Sequence, residues 1–205
     1  MLDKKGLTLA AIMGIILFVI NLNYLVVMLC FLALAVIVTK HRYQMKKEMG
    51  IYEHERGWEN VISNGTGPVI FALLTPYFGI IPYLCSISAV MADKFASELG
   101  VLSPNPISLR DLKKVKPGTS GAVSLFGTVM SLGGAVFIGL ISMVLFSLSP
   151  SNILIIGLVG FIGSLIDSIF GIFEEMGIGT KGTTNFLCSI SAGLIAIYLV
   201  NGGYI

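Results

Sequence analysis

Asp93, Ala96, Ser97 and Gly100 follow one another at i, i+3, i+4 and i+7. On a helix that spacing gathers a carboxylate, a hydroxyl and two small residues on one face, where a second backbone, or a phosphate with its metal, can come close. Gly160, Gly163, Ser164, Asp167 and Gly171 form another seam of small residues around one carboxylate, inside an apolar run. An ionised group in such a run costs roughly 2.5 to 3.5 kcal/mol on insertion scales and is by default a functional-site hypothesis. Two carboxylates on neighbouring helix ends, Asp93 and Asp167, suit Mg²⁺ held between protein and substrate phosphates, because that ion takes hard oxygen ligands and keeps several waters. Glu98 is a candidate third ligand. The structural alternatives are helix packing through small residues and pairing of Asp167 with a lysine or with capping hydroxyls.

A third element is the basic loop Lys113-Lys114-Val115-Lys116-Pro117-Gly118-Thr119-Ser120-Gly121, which leads through Ser124 into an apolar run. Glycines and hydroxyls at a helix N-terminus turn backbone N–H groups toward an anion, and the helix dipole has the favourable sign. Gly118, Thr119, Ser120, Gly121 and Ser124 are therefore expected to cradle phosphate, faced by Ser97 and Gly100, with Lys116 adding a full positive charge. The lysines also have a use as topology determinants. Arg56, Asn60 and Asn64 precede or open one apolar run and Thr183-Thr184-Asn185 open another. They are candidates for acceptor binding, with Ser168. Capping and interfacial anchoring, including Trp58 at headgroup level, are their alternative roles. His41 and His54 are isolated in a basic segment, and no serine–histidine pairing, Walker loop or histidine pair is present. Cys30, Cys85 and Cys188 lie in apolar runs without paired spacing, as ordinary buried thiols do.

These residues need elements to hold them, and composition names the kind. Of 205 residues 55% are hydrophobic and 12% charged, against about a quarter charged in soluble domains, and the mean hydropathy is +0.91. The fold class is all-α, a polytopic membrane helix bundle forming one integral membrane domain over residues 1–205. Crossing a hydrocarbon core of about 30 Å takes some 17–25 apolar residues. Seven transmembrane helices follow, at about 7–20, 25–38, 61–75, 77–91, 121–148, 152–173 and 183–200. Asn21, Asn23 and Tyr24 turn the first pair, and Thr75-Pro76-Tyr77 and Ser149-Pro150-Ser151 break two longer runs. No small-residue cleavage site follows the first arm, so it reads as a retained helix rather than a signal peptide.

Seven passes put the N-terminus and the second, fourth and sixth inter-span segments on one side, and all 13 Lys and Arg fall there. By the positive-inside rule that side is the cytoplasm, with a cytoplasmic N-terminus and the cell membrane as location. The acidic residues lie in or near the same segments. A formal net charge of +2 gives no reason to expect nucleic acid as a partner. A channel or carrier for a polar solute needs polar groups through its full depth, and the half opposite the charges is nearly bare.

Arg56-Gly57 with Asn60 and Asn64-Gly65, Ala92-Asp93 through Ser97-Glu98-Leu99-Gly100, Gly118 through Ser124, and Gly163-Ser164 through Asp167-Ser168 to Gly171 together resemble one integral membrane family. It includes the plant phytyl-phosphate kinase of vitamin E biosynthesis, and the resemblance covers nearly the whole chain. More distantly, Asp93, Ala96 and Gly100, followed by Lys116 and Gly121, resemble CTP-dependent polyprenol kinases such as dolichol kinase, which carry glycine where Ala92 stands. The resemblance implies a membrane-embedded kinase that converts an isoprenoid monophosphate, of phytyl or geranylgeranyl type, to the diphosphate with a nucleoside triphosphate, CTP for preference. It assigns Asp93 and Asp167 to Mg²⁺, Lys116 and the loop amides to the triphosphate, and Asn64 or Asn185 to the acceptor, whose tail lies in the lipid bilayer. A CTP-dependent cytidylyltransferase acting on a lipid phosphate and a non-enzymatic lipid or ion transporter are the alternatives.

Overall fold

Residues 3–50 and 57–204 are described by the computed structural model. Long apolar runs in lipid have to satisfy every backbone N–H and C=O within the segment, and helices do so. In chain order the elements are α1 (Lys4–Ile20), α2 (Leu22–Lys40), α3 (Tyr43–Glu48), α4 (Trp58–Leu73), α5 (Thr75–Phe78), α6 (Ile81–Gly100), β1 (Ile107–Ser108), β2 (Ala122–Val123), α7 (Leu125–Phe146), α8 (Pro150–Glu175) and α9 (Lys181–Asn201). Each expected span has its helix. Among the described residues four are long and apolar enough to cross a membrane: α2, α7, α8 and α9. Of the other three, α1 and α4 have 17 and 16 residues, and α6 carries Asp93, Lys94 and Glu98. By length and composition alone, four of the seven expected spans stand as candidate crossings.

The fifth run departs most from expectation. Residues 121–124 are not helical: Gly121 has φ +69°, and Ala122–Val123 pair antiparallel with Ile107–Ser108 in a two-stranded ribbon. The helix starts at Leu125, capped by Ser124, whose Oγ accepts from the Gly127 N–H at 3.0 Å. The break at Thr75-Pro76-Tyr77 is the short helix α5, followed by a turn at Gly79 with φ +71°.

Helix α6 runs through the middle, packed against α2, α4, α7, α8 and α9, with Pro82 through Asp93 buried without interruption. Small residues bring its neighbours in. A Cβ at Gly160 would stand 2.1 Å from Ser88 Oγ, which instead donates to the carbonyls of Ala135 (3.1 Å) and Ile156 (3.0 Å). Gly163 faces Ala89 and Ala192 in the same way. Those two seam glycines therefore serve packing, as the structural alternative for that seam allows. The outward faces stay apolar, with Val19 and Val144 each 76% exposed, the arrangement hydrocarbon solvent permits.

Candidate functional site

The C-terminal end of α6 meets the N-terminal ends of α4, α7 and α9 and the C-terminal half of α8, and two cavities open there. One, of about 400 Å³, lies between α6 from Asp93 to Val101, loop residues 117–124, the start of α7, and Phe161 to Ser168 of α8. The other, of about 610 Å³, lies between Phe31 of α2, Gly57 to Asn64 at the start of α4, and Thr180 to Phe186 at the start of α9. Asp93, Lys94, Ser97 and Lys181 line both.

Most of the expected residues are gathered here. Asp93, Ser97, Glu98, Gly100, Gly118, Thr119, Ser120, Gly121, Ser124, Asp167 and Ser168 line the first cavity, and Asn60, Asn64 and Asn185 line the second. Ser168, expected with the acceptor residues, thus falls with the loop. Lys116 is exposed and lines neither cavity, so among the described residues the cations that line them are Lys94 and Lys181. Adjacency to the loop glycines in sequence did not translate into adjacency in space. Arg56 lies outside the described residues.

Asp93 and Asp167 are each 6% exposed and sit beside one another, with the Lys181 ammonium and the Thr184 hydroxyl also beside Asp167. Asp167 Oδ1 is buried and makes no hydrogen bond, and the same holds for Asn185 Oδ1. Adjacent bare carboxylates repel, and a proton or a cation between them relieves the repulsion. Glu98 is differently placed. It pairs with Lys46 at 2.9 Å and with Lys94 one turn back, and accepts from Thr39 Oγ1 at 2.8 Å. Among the described residues no group of three His, Cys, Asp or Glu side chains is arranged to hold a metal. Asn64 and Asn60 are turned on each other, the Asn64 amide donating to the Asn60 carbonyl at 2.9 Å and to Asn60 Oδ1 at 3.2 Å.

The expected phosphate cradle at a helix N-terminus is instead a glycine-hinged turn, because the chain pairs as β2 before α7 begins. Gly118 and Gly121 have φ of +89° and +69°, which glycine adopts without cost. The turn crosses α8 with backbone against backbone. A Cβ on Gly171 would stand 2.5 Å from the Gly121 nitrogen, and one on Gly121 would stand 2.7 Å from the Ile172 nitrogen. Gly100 meets Gly127 similarly, at 3.2 Å to its Cα, so the small face of α6 admits α7 as well as lining the cavity. At the inner wall the Ser131 hydroxyl donates to Ser164 Oγ at 3.0 Å.

Two lysines escaped the sequence reading. Lys181 stands four residues before Asn185, so one helix face presents Lys181, Thr184, Asn185 and Cys188, a signal that was available. Lys46 is 1% exposed and donates to the carbonyls of Val38 (2.9 Å) and Thr39 (3.2 Å) as well as pairing with Glu98. Nothing in its basic segment distinguishes it from a topology lysine.

Fold and site together define an integral membrane helix bundle with a polar, two-lobed site at its charged end. The chain belongs to the integral membrane protein family DUF92, which matches residues 1–188. It is 36% identical over 205 residues to an uncharacterized membrane protein of Methanocaldococcus jannaschii, covering 97% of this chain and 85% of that one. An uncharacterized membrane protein of Synechocystis is 29% identical over 161 residues, covering 73% of this chain and 62% of that protein. No solved structure matches the chain.

Proposed function

We propose that the protein is a membrane-embedded kinase that converts an isoprenoid monophosphate to its diphosphate, with a nucleoside triphosphate, CTP by resemblance, as donor. The observation that carries this reading is the wall of Asp93, Lys94, Ser97 and Lys181 common to both cavities. A transfer between two bound phosphates needs two compartments that meet at the reacting atoms, and it needs positioning and charge neutralisation more than a protein nucleophile. The loop lobe takes the nucleotide phosphates against the amides and hydroxyls of residues 118–121. The asparagine lobe takes the acceptor phosphate, with Phe31, Ile62 and Phe186 as the beginning of the path for its tail. The charged end then faces the cytoplasm by the positive-inside rule, in a seven-pass topology.

In the reaction an oxygen of the acceptor's phosphate bonds to the terminal phosphorus of the donor, and the bond from that phosphorus to the bridging oxygen breaks. The products are the prenyl diphosphate and the nucleoside diphosphate. Lys94 and Lys181 sit where charge passes from one phosphate to the other. Asp93 and Asp167 fit Mg²⁺, being hard oxygen donors side by side with Asp167 Oδ1 unspent. Bound there, the ion would neutralise phosphate charge.

Incubating purified protein with γ-labelled CTP, Mg²⁺ and phytyl or geranylgeranyl monophosphate is expected to place label in the prenyl diphosphate and to release CDP. Pyrophosphate with cytidylate left on the lipid would make the protein a cytidylyltransferase. Solute crossing sealed vesicles with neither product would make it a transporter.

A further inference from the structure

Glu98 is held by Lys46, Lys94 and Thr39, which leaves the Asp93 and Asp167 carboxylates without a third acidic partner among the described residues. The face of α9 turned toward them supplies an oxygen of another kind. Lys181 and Thr184 stand beside Asp167. Cys188, one turn past Thr184, is fully buried within electrostatic reach of Asp93, Asp167 and Lys181. Asn185 belongs to the same face, lines the second cavity together with Asp93, and is 6% exposed. Its Oδ1 is buried and accepts no hydrogen bond.

A buried carbonyl oxygen without a donor costs free energy unless something is bound to it. Within this bundle the same condition applies to Asp167 Oδ1. The two unspent oxygens are on neighbouring helices, each lining a cavity that Asp93 also lines, and they call for a cation or a donor rather than for further acceptors. Lys181 stands beside Asp167 and offsets one of the two carboxylates. Hard divalent cations accept amide carbonyl oxygens together with carboxylates.

We infer that Asn185 supplies the third protein oxygen of a divalent-cation site whose other two ligands are Asp93 and Asp167. This rests on the two-carboxylate reading of the site and corrects its membership: Asn185 belongs with the ion rather than with the acceptor, and Glu98 is not a ligand. The site sits on α6, α8 and α9 at the wall between the cavities. Asn185 thereby ties the acceptor lobe to the ion.

The test is titration of Mn²⁺ into the purified protein in nanodiscs without nucleotide, with free Mn²⁺ counted by its paramagnetic resonance signal. One bound ion per chain is expected. Asn185→Ala should weaken binding by about tenfold or more, as lost metal-site partners do, Asn185→Asp should retain it, and Glu98→Gln should leave it within about threefold. Should Asn185→Ala fail to fold, Asn185→Leu, close in size and without the oxygen, carries the same expectation. Unchanged Mn²⁺ affinity in the alanine or leucine variant, an equal loss in Glu98→Gln, or no Mn²⁺ bound by the native chain would each overturn the proposal. The kinase reading is judged apart from this by its products, since Mn²⁺ bound without prenyl diphosphate formed would sink that reading and leave the ion site standing.

Discussion

The two ends of the bundle use polar side chains in opposite ways. At the uncharged end Tyr24 and Tyr83 stack with ring centroids 4.6 Å apart, and the Tyr83 hydroxyl donates to the Tyr24 carbonyl at 2.6 Å. Tyr24 in turn donates to Thr75 Oγ1 at 3.1 Å, and the Asn23 amide donates to the Leu145 carbonyl at 2.8 Å. These contacts tie α2, α5, α6 and α7 together. The charged end keeps Asp167 Oδ1 and Asn185 Oδ1 without partners and holds two cavities open beside them. Ser86 Oγ, one turn past Tyr83 on α6, is also buried without a partner, so the contrast lies in the cavities: among the described residues, only at the charged end do unpartnered oxygens stand beside open space that a bound group can fill.

That contrast is broken most severely at the carboxylates. Asp93→Asn and Asp167→Asn are each expected to lower turnover by about 100-fold or more, because a lost metal-positioning charge costs several kcal/mol of transition-state stabilisation. Neither should impair insertion, since removing a charge from an apolar run lowers its cost. Normal turnover in either folded variant would return that residue to a packing role.

A smaller effect separates the lysines. Lys181→Ala is expected to raise the apparent KM for CTP by about tenfold, for a charge-assisted contact of roughly 1.5 to 3 kcal/mol. Lys116→Ala should change it by less than about twofold, as its side chain lines neither cavity. Nucleotide titrations of both variants check this, and a larger effect from Lys116 would mean that the loop closes over the nucleotide.

At the uncharged end the expected effect on catalysis is nil. Tyr83→Phe removes the hydroxyl's bond to the Tyr24 carbonyl, which keeps its helical partner, at a cost of about 0.5–1.5 kcal/mol of stability. Thermal unfolding should register that loss while kcat per folded molecule stays at the native value. A fall in kcat would show that the two ends are coupled.

The sequence was informative where physics is local. A run such as Leu125 to Phe146 admits only a helix in lipid, and each expected span has its helix, though α6 starts four residues later than expected and runs nine residues further, to Gly100. Asp93, Asp167, Asn60, Asn64 and Asn185 were legible because polar groups beside apolar runs are costly, and they do converge on two adjoining cavities. What was not legible depends on partners distant in the chain. The ribbon of residues 107–108 with 122–123 is too short to leave a period. Lys46 finds Glu98 across 52 positions, a pairing that no local pattern announces. Lys116 stands outside both cavities because a charge next to flexible glycines in sequence need not point where they do.

The central claim is that donor and acceptor occupy separate cavities that meet at Asp93. Initial rates measured against CTP and against geranylgeranyl monophosphate, in the native chain, Ser120→Ala and Asn64→Ala, test it most directly. Ser120→Ala is expected to raise the KM for CTP by about three- to tenfold and to leave the acceptor KM unchanged, while Asn64→Ala does the reverse. Variants that shift both constants together, or each the wrong one, would contradict the division of the site.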